Sequence, residues 1–258
     1  MKINNPQKIC FVFDVDGTLT EPREEITNEM FDLFSSWSKD KQCFVSTGSD
    51  FEKTKEQIGQ KTLNCFDLIF CCMGNETRNS SGEITRRVNF ILEEELKSDL
   101  GKFLSESTFS YRTGNHIEPR TGMVNFSVVG RNASMEQRKD YSKWDNTQGE
   151  RKAIANFINN KYPEMEASIG GSISIDIIKK GYDKGQIIHL LKDMGAQKLV
   201  YVGDKCFPGG NDYGVVRELK KSDLAFEWYN VSGPKDTLKL IKENAIFQEV
   251  RYNEKIIT

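Results

Sequence analysis

The distribution of apolar residues divides the chain into segments with two kinds of pattern. In the first third, residues 8–16, 42–50 and 66–74 contain short runs that are apolar on both faces, which is typical of buried strands in a parallel sheet. Between these runs, residues 26–40 and 51–59 place apolar side chains at helical spacing. This strand–helix–strand alternation predicts an α/β fold with a doubly wound parallel sheet, whose ligand-binding residues lie at the carboxyl ends of the strands.

The pattern changes after about Arg78. The stretch at 79–88 is typical of a hairpin turn that enters a strand, and residues 166–181 alternate strictly through three isoleucines. The other predicted elements of this part are two helices and one strand, at 91–107, 151–163 and 122–130. These elements predict an α+β domain of mainly antiparallel strands.

The first pattern then resumes. It predicts two more helices and a buried strand, at 185–195, 234–245 and 198–205. We therefore expect a doubly wound core built from residues 1–81 and 183–258. Residues 82–182 are expected to form an inserted α+β cap domain, with a cleft between the two domains.

Composition excludes several classes of partner. Lys and Arg number 36 against 38 Asp and Glu, so a net charge of -2 gives no general attraction to nucleic acid or to an anionic membrane surface. No apolar run has the length of a membrane span, and the start "MKINNPQKIC" lacks the apolar centre of a signal peptide, so we expect a cytoplasmic protein. The six cysteines lack metal-ligand spacing and are expected to be reduced thiols.

Two pairs of acidic residues follow predicted strands. Asp14 and Asp16 come at the end of the first strand, and Asp204 and Asp212 follow the strand at 198–205. Aspartate is also common in turns, so either pair alone would be ambiguous. Four carboxylates at one edge of a sheet repel each other unless a cation lies among them, and Mg²⁺ prefers such oxygen ligands. The sequence therefore predicts a magnesium site there.

These residues lie in recognisable motifs. The segments "DVDGT", "STG", "GYDKG" and "GDK…GGND" resemble the four motifs of the haloacid dehalogenase (HAD) superfamily of phosphotransferases. Longer segments, among them "FDVDGTLTEPREEIT", "IEPRTGMVNFSVVGR", "SIGGSISIDI" and "GDKCFPGGND", are similar to the eukaryotic-type phosphomannomutase family. The resemblance extends from about residue 9 to 242 and implies a HAD-like core with a cap domain.

The resemblance implies a role for each core motif. Asp14 would be the nucleophile that forms an aspartyl-phosphate, and Asp16 the general acid and base. Thr47 and Lys184 would bind the remaining charge of the phosphoryl group. The Mg²⁺ would be held by Asp14, by the backbone carbonyl of Asp16 and by Asp204, with Asp212 beside it.

The resemblance also implies substrate contacts and partners. Arginines would hold the second phosphate of a sugar bisphosphate, namely Arg23, Arg120, Arg131 and Arg138, and Ser174 and Asp176 would contact the sugar. The implied substrate is a hexose phosphate, with mannose favoured over glucose, and hexose 1,6-bisphosphate is the implied activator. The product would serve GDP-mannose biosynthesis, and the cap is the implied surface of a homodimer.

Two other functions remain open on the same core. A sugar-phosphate phosphatase would release the phosphate to water, although it would not need several cap arginines. A non-catalytic sugar-phosphate binding module is a further alternative, but it would not need Asp14, Asp16 and Lys184 together. The insert arginines favour the mutase.

The chain departs from the family pattern at several positions. Cys72 and Met73 replace a Glu-Asn pair, Pro119 replaces an aromatic residue, and Cys206-Phe207 replaces Thr-Met. The segment at 213–221 replaces an acidic stretch, which leaves a second cation site open.

Overall fold

The computed structural model describes residues 9–248. The amino-terminal stretch considered for export and the ends of the expected core, at 1–8 and 249–258, lie outside these residues. The strands are β1 (Ile9–Phe13), β2 (Gln42–Ser46), β3 (Leu68–Cys71), β4 (Glu76–Arg78), β5 (Ile84–Arg87), β6 (Ile117–Arg120), β7 (Met123–Phe126), β8 (Met165–Gly170), β9 (Ser174–Lys179), β10 (Lys198–Gly203) and β11 (Ala225–Asn230).

The helices have the following bounds: α1 (Asn28–Trp37), α2 (Phe51–Leu63), α3 (Glu94–Glu106), α4 (Met135–Gln148), α5 (Glu150–Lys161), α6 (Gln186–Asp193), α7 (Tyr213–Lys221), α8 (Pro234–Glu243) and α9 (Ala245–Gln248). Short 3₁₀ helices occur at Ser38–Asp40 and Cys72–Gly74. Within residues 9–248, no helix combines the length and the apolar character needed to cross a bilayer.

The described chain forms two compact units, one of residues 9–87 and 183–248 and the other of residues 88–182. The first unit contains a seven-stranded sheet of order β11-β10-β1-β2-β3-β4-β5. The five strands from β11 to β3 are parallel, and β1 lies at their centre, paired with β10 and β2. Because both of its faces are covered, β1 is buried throughout, as its apolar sequence predicted.

Helices cover both faces of this sheet. Side chains of α1, α8 and α9 pack with the odd-numbered residues of β1, and Phe13 contacts the rings of Phe34 and Trp37. Side chains of α6 and α7 pack with the even-numbered residues, including Val12. The predicted doubly wound α/β fold is therefore confirmed.

The sheet edges differ from the sequence-based expectation. The hairpin of β4 and β5 extends the first sheet in antiparallel orientation, so the first unit continues through Arg87 rather than ending at residue 81. The strand β11 and the helix α7 were not predicted. β11 carries no fully buried residue, so its sequence lacks the apolar run that identified the central strands.

The second unit is an α+β structure around an antiparallel sheet of order β6-β7-β9-β8. Side chains of α3, α4 and α5 pack on this sheet in one core, which includes Phe126, Tyr141 and Ile158. The alternating run at 166–181 forms a hairpin, because a turn that includes Gly171 separates β8 from β9. The helix α4 was not predicted, because it is largely polar, although Ser134 and Gln137 form a capping box at its start.

Candidate active site

The end of β1 brings Asp14 into the first unit's sheet. The backbone N–H of Asp14 donates to the carbonyl of Val202 at 2.9 Å, which continues the pairing with β10. Since side chains alternate along a strand, Asp14 lies on the same face as Val12. Gly17 then turns the chain at φ 75°, and a Cβ on it would lie 2.6 Å from Asp204 Oδ2. Glycine at 17 therefore allows Asp204 to approach.

Lys184 connects two of the acidic residues. Its Nζ donates to Asp14 Oδ1 at 2.6 Å and to Asp212 Oδ1 at 2.7 Å, and all three side chains are buried. Burial opposes the charged ammonium, but the two carboxylates outweigh it and raise the pKa of Lys184. A buried lysine of this kind must be paired, so Lys184 holds the two aspartates at fixed positions.

Three carboxylates, those of Asp14, Asp204 and Asp212, offer oxygens that all lie within 4.8 Å of one another. Burial raises the pKa of Asp14, partly offset by Lys184. Among the described residues, Asp14 Oδ2 and Asp204 Oδ1 are buried and have no hydrogen-bond partner. Unpartnered carboxylate oxygens are costly unless a cation lies beside them, so this donor set fits a hard divalent cation.

Asp212 is satisfied by protein donors. Its Oδ1 accepts from Lys184 and also from the hydroxyl of Tyr201 at 2.7 Å, and its Oδ2 accepts from the backbone N–H of Lys205 at 3.1 Å. The lowered pKa of Asp212 reflects these contacts, chiefly the charge of Lys184, against the opposing effect of burial. Asp212 thus orients Lys184 and has less free acceptor capacity than the other two carboxylates. Sequence reasoning missed Tyr201, because a tyrosine in a buried strand resembles any core residue.

Asp16 lies apart from this cluster, although four carboxylates were expected to converge. Its Oδ1 accepts from the backbone N–H of Arg23 and from Gln57 Nε2, both at 2.8 Å. Gln57 Nε2 also donates to Thr20 Oγ1 at 2.7 Å. These donors hold the Asp16 carboxylate away from the other three, which leaves its backbone carbonyl as the atom predicted to face a cation.

Gln57 is a second residue that the sequence did not single out. The helix α2 is interrupted at Gly59, which has φ 72°, and the carbonyl of Gln57 accepts from the N–H of Ile26 at 2.9 Å. The side-chain amide and the backbone carbonyl of Gln57 therefore both bind the loop that follows β1. Asp16 and Gln57 line a cavity of about 600 Å³ together with Arg23, Ser49 and Lys53.

Thr47 directly follows β2 and is buried. Its N–H donates to the carbonyl of Phe70, and its Oγ1 accepts from the N–H of Ser49. The departure at Cys72 and Met73 lies beside it, because the N–H of Met73 donates to the Thr47 carbonyl at 2.9 Å. Cys72 and Met73 have φ of 51° and 60°, a left-handed conformation that costs non-glycine residues about 1–2 kcal/mol each.

The second unit brings its predicted arginines close to one another. Arg120 and Arg131 both contact Glu118 Oε2, with nitrogen–oxygen distances of 2.9 Å from Arg120 Nε and 3.2 Å from Arg131 Nε. The contact of Arg131 lacks hydrogen-bond alignment, so its buried Nε has no hydrogen-bond partner within the described residues. Arg138 donates to the carbonyls of Ala133 and Arg131.

The two residues predicted to contact sugar are close in the same sheet. Ser174 Oγ donates to the carbonyl of Gly170 at 2.9 Å, and Asp176 Oδ1 accepts from Asn125 Nδ2 at 2.5 Å. Both lie on β9, two positions apart, and therefore face the same side of the sheet.

Elsewhere, the six cysteines, all of which lie within residues 9–248, form no disulfide bond. The one group of potential metal-ligating side chains found in the described part of the chain is the acidic cluster.

A doubly wound sheet whose central strand is followed by an aspartate, with a buried lysine and an acidic cluster beside it, has the architecture of HAD-like proteins. Solved structures agree: an Aspergillus fumigatus trehalose-6-phosphate phosphatase has a TM-score of 0.59 at 17% identity, covering 92% of each chain. A haloacid dehalogenase-like hydrolase from Bacteroides thetaiotaomicron has a TM-score of 0.57 at 14% identity, covering 90% of this chain and 98% of the other. These similarities show the fold alone.

Sequence comparison is more specific. The sequence model of the eukaryotic phosphomannomutase family matches residues 30–248. A phosphomannomutase of Spinacia oleracea is 34% identical over 242 residues, which cover 91% of this chain and 95% of the relative. The chain belongs to the eukaryotic phosphomannomutase family, which confirms the resemblance seen in its motifs.

Proposed function

We propose that the protein is a phosphomannomutase, which interconverts hexose 6-phosphate and hexose 1-phosphate with mannose as the preferred sugar. The observation that carries this proposal is the buried Lys184, which bridges Asp14 and Asp212 beside two unpartnered carboxylate oxygens. Membership of the family selects the mutase reaction from the other phosphotransfers that such a site supports.

The Asp14 carboxylate would act as the nucleophile. It attacks phosphorus, the bond between phosphorus and the sugar oxygen breaks, and an aspartyl-phosphate forms. A Mg²⁺ ion held by Asp14, Asp204 and the backbone carbonyl of Asp16, with Asp212 beside it, would screen the negative charge of the phosphoryl group. Lys184 would offset the charge that remains on its oxygens, and Thr47 would bind one of them by a hydrogen bond.

Asp16 would move the proton. It protonates the leaving sugar oxygen when the aspartyl-phosphate forms, and it removes a proton from the sugar hydroxyl that attacks in the reverse direction. Oδ1 already accepts two N–H groups, so Oδ2 is the oxygen left to carry this proton. The contacts of Gln57 and Arg23 therefore support the proposed role.

A mutase must also hold the phosphate that is not reacting. Hexose 1,6-bisphosphate is the proposed intermediate and activator, since each of its phosphates reacts with Asp14 in turn. Four arginines are proposed to hold the remote phosphate, namely Arg23, Arg120, Arg131 and Arg138. The buried Nε of Arg131 supports this role, because its contact with Glu118 is not an aligned hydrogen bond and its N–H still needs an acceptor. Ser174 and Asp176 are proposed to contact the sugar.

The location and assembly of the protein are further parts of this proposal. We place it in the cytoplasm, as a homodimer that pairs through the cap domain. Sedimentation of the purified protein tests the dimer, and a variant that lacks residues 88–182 should sediment as a monomer if that domain makes the interface.

The decisive experiment incubates the protein with mannose 1-phosphate, Mg²⁺ and a trace of glucose 1,6-bisphosphate. Mannose 6-phosphate and inorganic phosphate are measured side by side, with glucose 1-phosphate as a parallel substrate and Asp14→Asn as the control. The proposal expects mannose 6-phosphate in large excess over inorganic phosphate. Inorganic phosphate as the main product would identify a phosphatase, and binding without turnover would identify a non-catalytic module.

A further inference from the structure

Tyr201 lies in β10 directly beside the site. It pairs with Val12 of β1 and is almost completely buried, at 1% exposure. Its hydroxyl donates to Asp212 Oδ1 at 2.7 Å. Burial, reinforced by the charge of Asp212, raises the pKa of Tyr201, so the hydroxyl remains a donor. A buried hydroxyl without a partner is costly, and Asp212 is the partner that satisfies it.

The hydroxyl shares its acceptor with Lys184. Asp212 Oδ1 receives both Tyr201 and Lys184 Nζ, and Nζ also reaches Asp14 Oδ1 at 2.6 Å. These contacts form a continuous chain from the Tyr201 hydroxyl to the proposed nucleophile. Two of the three N–H groups of Lys184 are engaged, which leaves one for a phosphoryl oxygen.

The local backbone leaves Asp212 little freedom. A Cβ on Gly203 would lie 2.6 Å from Asp212 Oδ2 and 2.8 Å from Tyr201 Cε1, so both side chains pack directly on that glycine. Rotation of Asp212 away from Lys184 would break its bonds to Tyr201 and to the N–H of Lys205. The tyrosine thus limits the orientations open to the carboxylate that holds the lysine.

We infer that Tyr201 is a positioning residue for phosphoryl transfer, whose hydroxyl fixes Asp212 so that Asp212 holds Lys184 at Asp14. This inference rests on the proposed function. Without the hydroxyl, Asp212 can turn away from Lys184, and the ammonium is then no longer fixed at Asp14 beside the transferring group. Tyr201 touches neither the sugar nor the remote phosphate in this scheme, so substrate binding is unaffected.

Tyr201→Phe tests the inference, because it keeps the buried ring and removes only the hydroxyl. Loss of a hydrogen bond to a charged group corresponds to a decrease of about 10- to 100-fold, which should fall on kcat. The KM for mannose 1-phosphate should stay within about twofold of its original value, as expected for a group that acts on the chemical step alone. An increase in KM as large as the decrease in kcat, or no change in either constant, would overturn the inference.

Tyr141→Phe is the matched control. Tyr141 is fully buried in the second unit, and its hydroxyl donates to Glu150 Oε2 at 2.8 Å. Both variants lose a buried hydroxyl that binds a carboxylate, so we expect similar decreases in melting temperature. The kcat should fall in Tyr201→Phe and stay unchanged in Tyr141→Phe. If Tyr141→Phe lowered kcat as much as Tyr201→Phe, general loss of packing would explain both results and the inference would be wrong.

A double-mutant cycle asks whether Tyr201 acts through Asp212. Mg²⁺-dependent binding of beryllium trifluoride, a mimic of an aspartyl-phosphate, is measured by calorimetry in both single variants and in Tyr201→Phe/Asp212→Asn. Tyr201→Phe should weaken binding about 10-fold in the original protein and less than about twofold in the Asp212→Asn background. Additive effects would refute the inference. Since this measurement needs no turnover, it decides the role of Tyr201 even if the mutase assay fails and disproves the proposed function.

Discussion

Replacing Lys184 by methionine removes the positive charge from the acidic cluster and keeps a side chain of similar length. In the native protein Nζ lies 2.6 Å from Asp14 Oδ1 and 2.7 Å from Asp212 Oδ1, and none of the lysine side chain is exposed. Removal of one partner from a buried ion pair costs about 3–5 kcal/mol, because the remaining charge stays buried without compensation. Lys184 contacts two carboxylates, so we expect a loss of about 5 kcal/mol in the free energy of unfolding of the metal-free protein at neutral pH.

The loss should depend on pH with a defined sign. Burial already raises the pKa of Asp14 in the native protein, and Lys184 opposes that rise. Without Lys184 the folded-state pKa of Asp14 rises further above its unfolded value of about 3.9. A carboxyl group of this kind costs stability above its folded pKa, and the cost disappears as pH falls toward the unfolded pKa. The penalty of Lys184→Met should therefore shrink from about pH 8 to about pH 5.

Urea unfolding in the presence of a chelator, followed by tryptophan fluorescence, measures this penalty. Lys161→Met is the matched control, because Lys161 also contacts two carboxylates, those of Glu95 and Asp99, but its side chain is 36% exposed. Asp99 also keeps its contacts with Lys102 and Tyr162 in that variant, so the expected loss is about 1 kcal/mol or less. Equal losses in the two variants, or a Lys184→Met penalty that grows as pH falls, would refute this reasoning.

Three further changes test other parts of the site. Gln57→Leu should lower kcat for mannose 1-phosphate about 10-fold, because it removes a donor that orients Asp16, but kcat/KM for 4-nitrophenyl phosphate should not change, because that leaving group needs no acid. Gln60→Leu on the same helix is the control, and equal losses on both substrates would contradict the role of Gln57. Arg138→Ala should lower mutase activity about 10- to 100-fold and leave hydrolysis of aryl phosphates unchanged, because these lack a second phosphate; parallel losses would exclude a role in holding that phosphate. Met73→Asn should raise the free energy of unfolding by about 1 kcal/mol, because asparagine tolerates the left-handed conformation. A lower free energy of unfolding, measured by urea denaturation, would show that Met73 is not strained.

Hydrophobic patterning was sufficient for the centre of the fold and insufficient for its margins. The strands β1 and β2 could be predicted because each is a short run that is buried on both faces, and the helix α1 because its apolar residues recur at helical spacing. The strand β11 and the helix α4 could not, since an edge strand and a largely polar helix carry little of that signal. The β4–β5 hairpin was recognised, but a hairpin sequence contains no information about which sheet it joins.

The candidate site divides in a similar way. The acidic residues could be proposed from their positions after strands, whereas Lys184 was assigned to the site only through family resemblance. Its contact with Asp14 spans 170 residues and was not predicted. Asp16 was expected among the other carboxylates, but hydrogen bonds from a helix that is distant in sequence hold it elsewhere. Gln57 and Tyr201 carry no motif of their own, because their significance depends on which carboxylate they contact.

Two glycines, Gly17 and Gly203, lie so close to the acidic cluster that even alanine should not be tolerated at either position. A methyl group on Gly17 would collide with Asp204, and one on Gly203 would collide with Asp212 and Tyr201. Neither glycine contributes a functional group to the reaction. A saturation screen for activity should nevertheless score alanine at either position almost as severely as loss of a carboxylate. Such a screen would therefore mark as essential two residues that have no side chain, because the space a side chain would fill is taken by the neighbouring carboxylates.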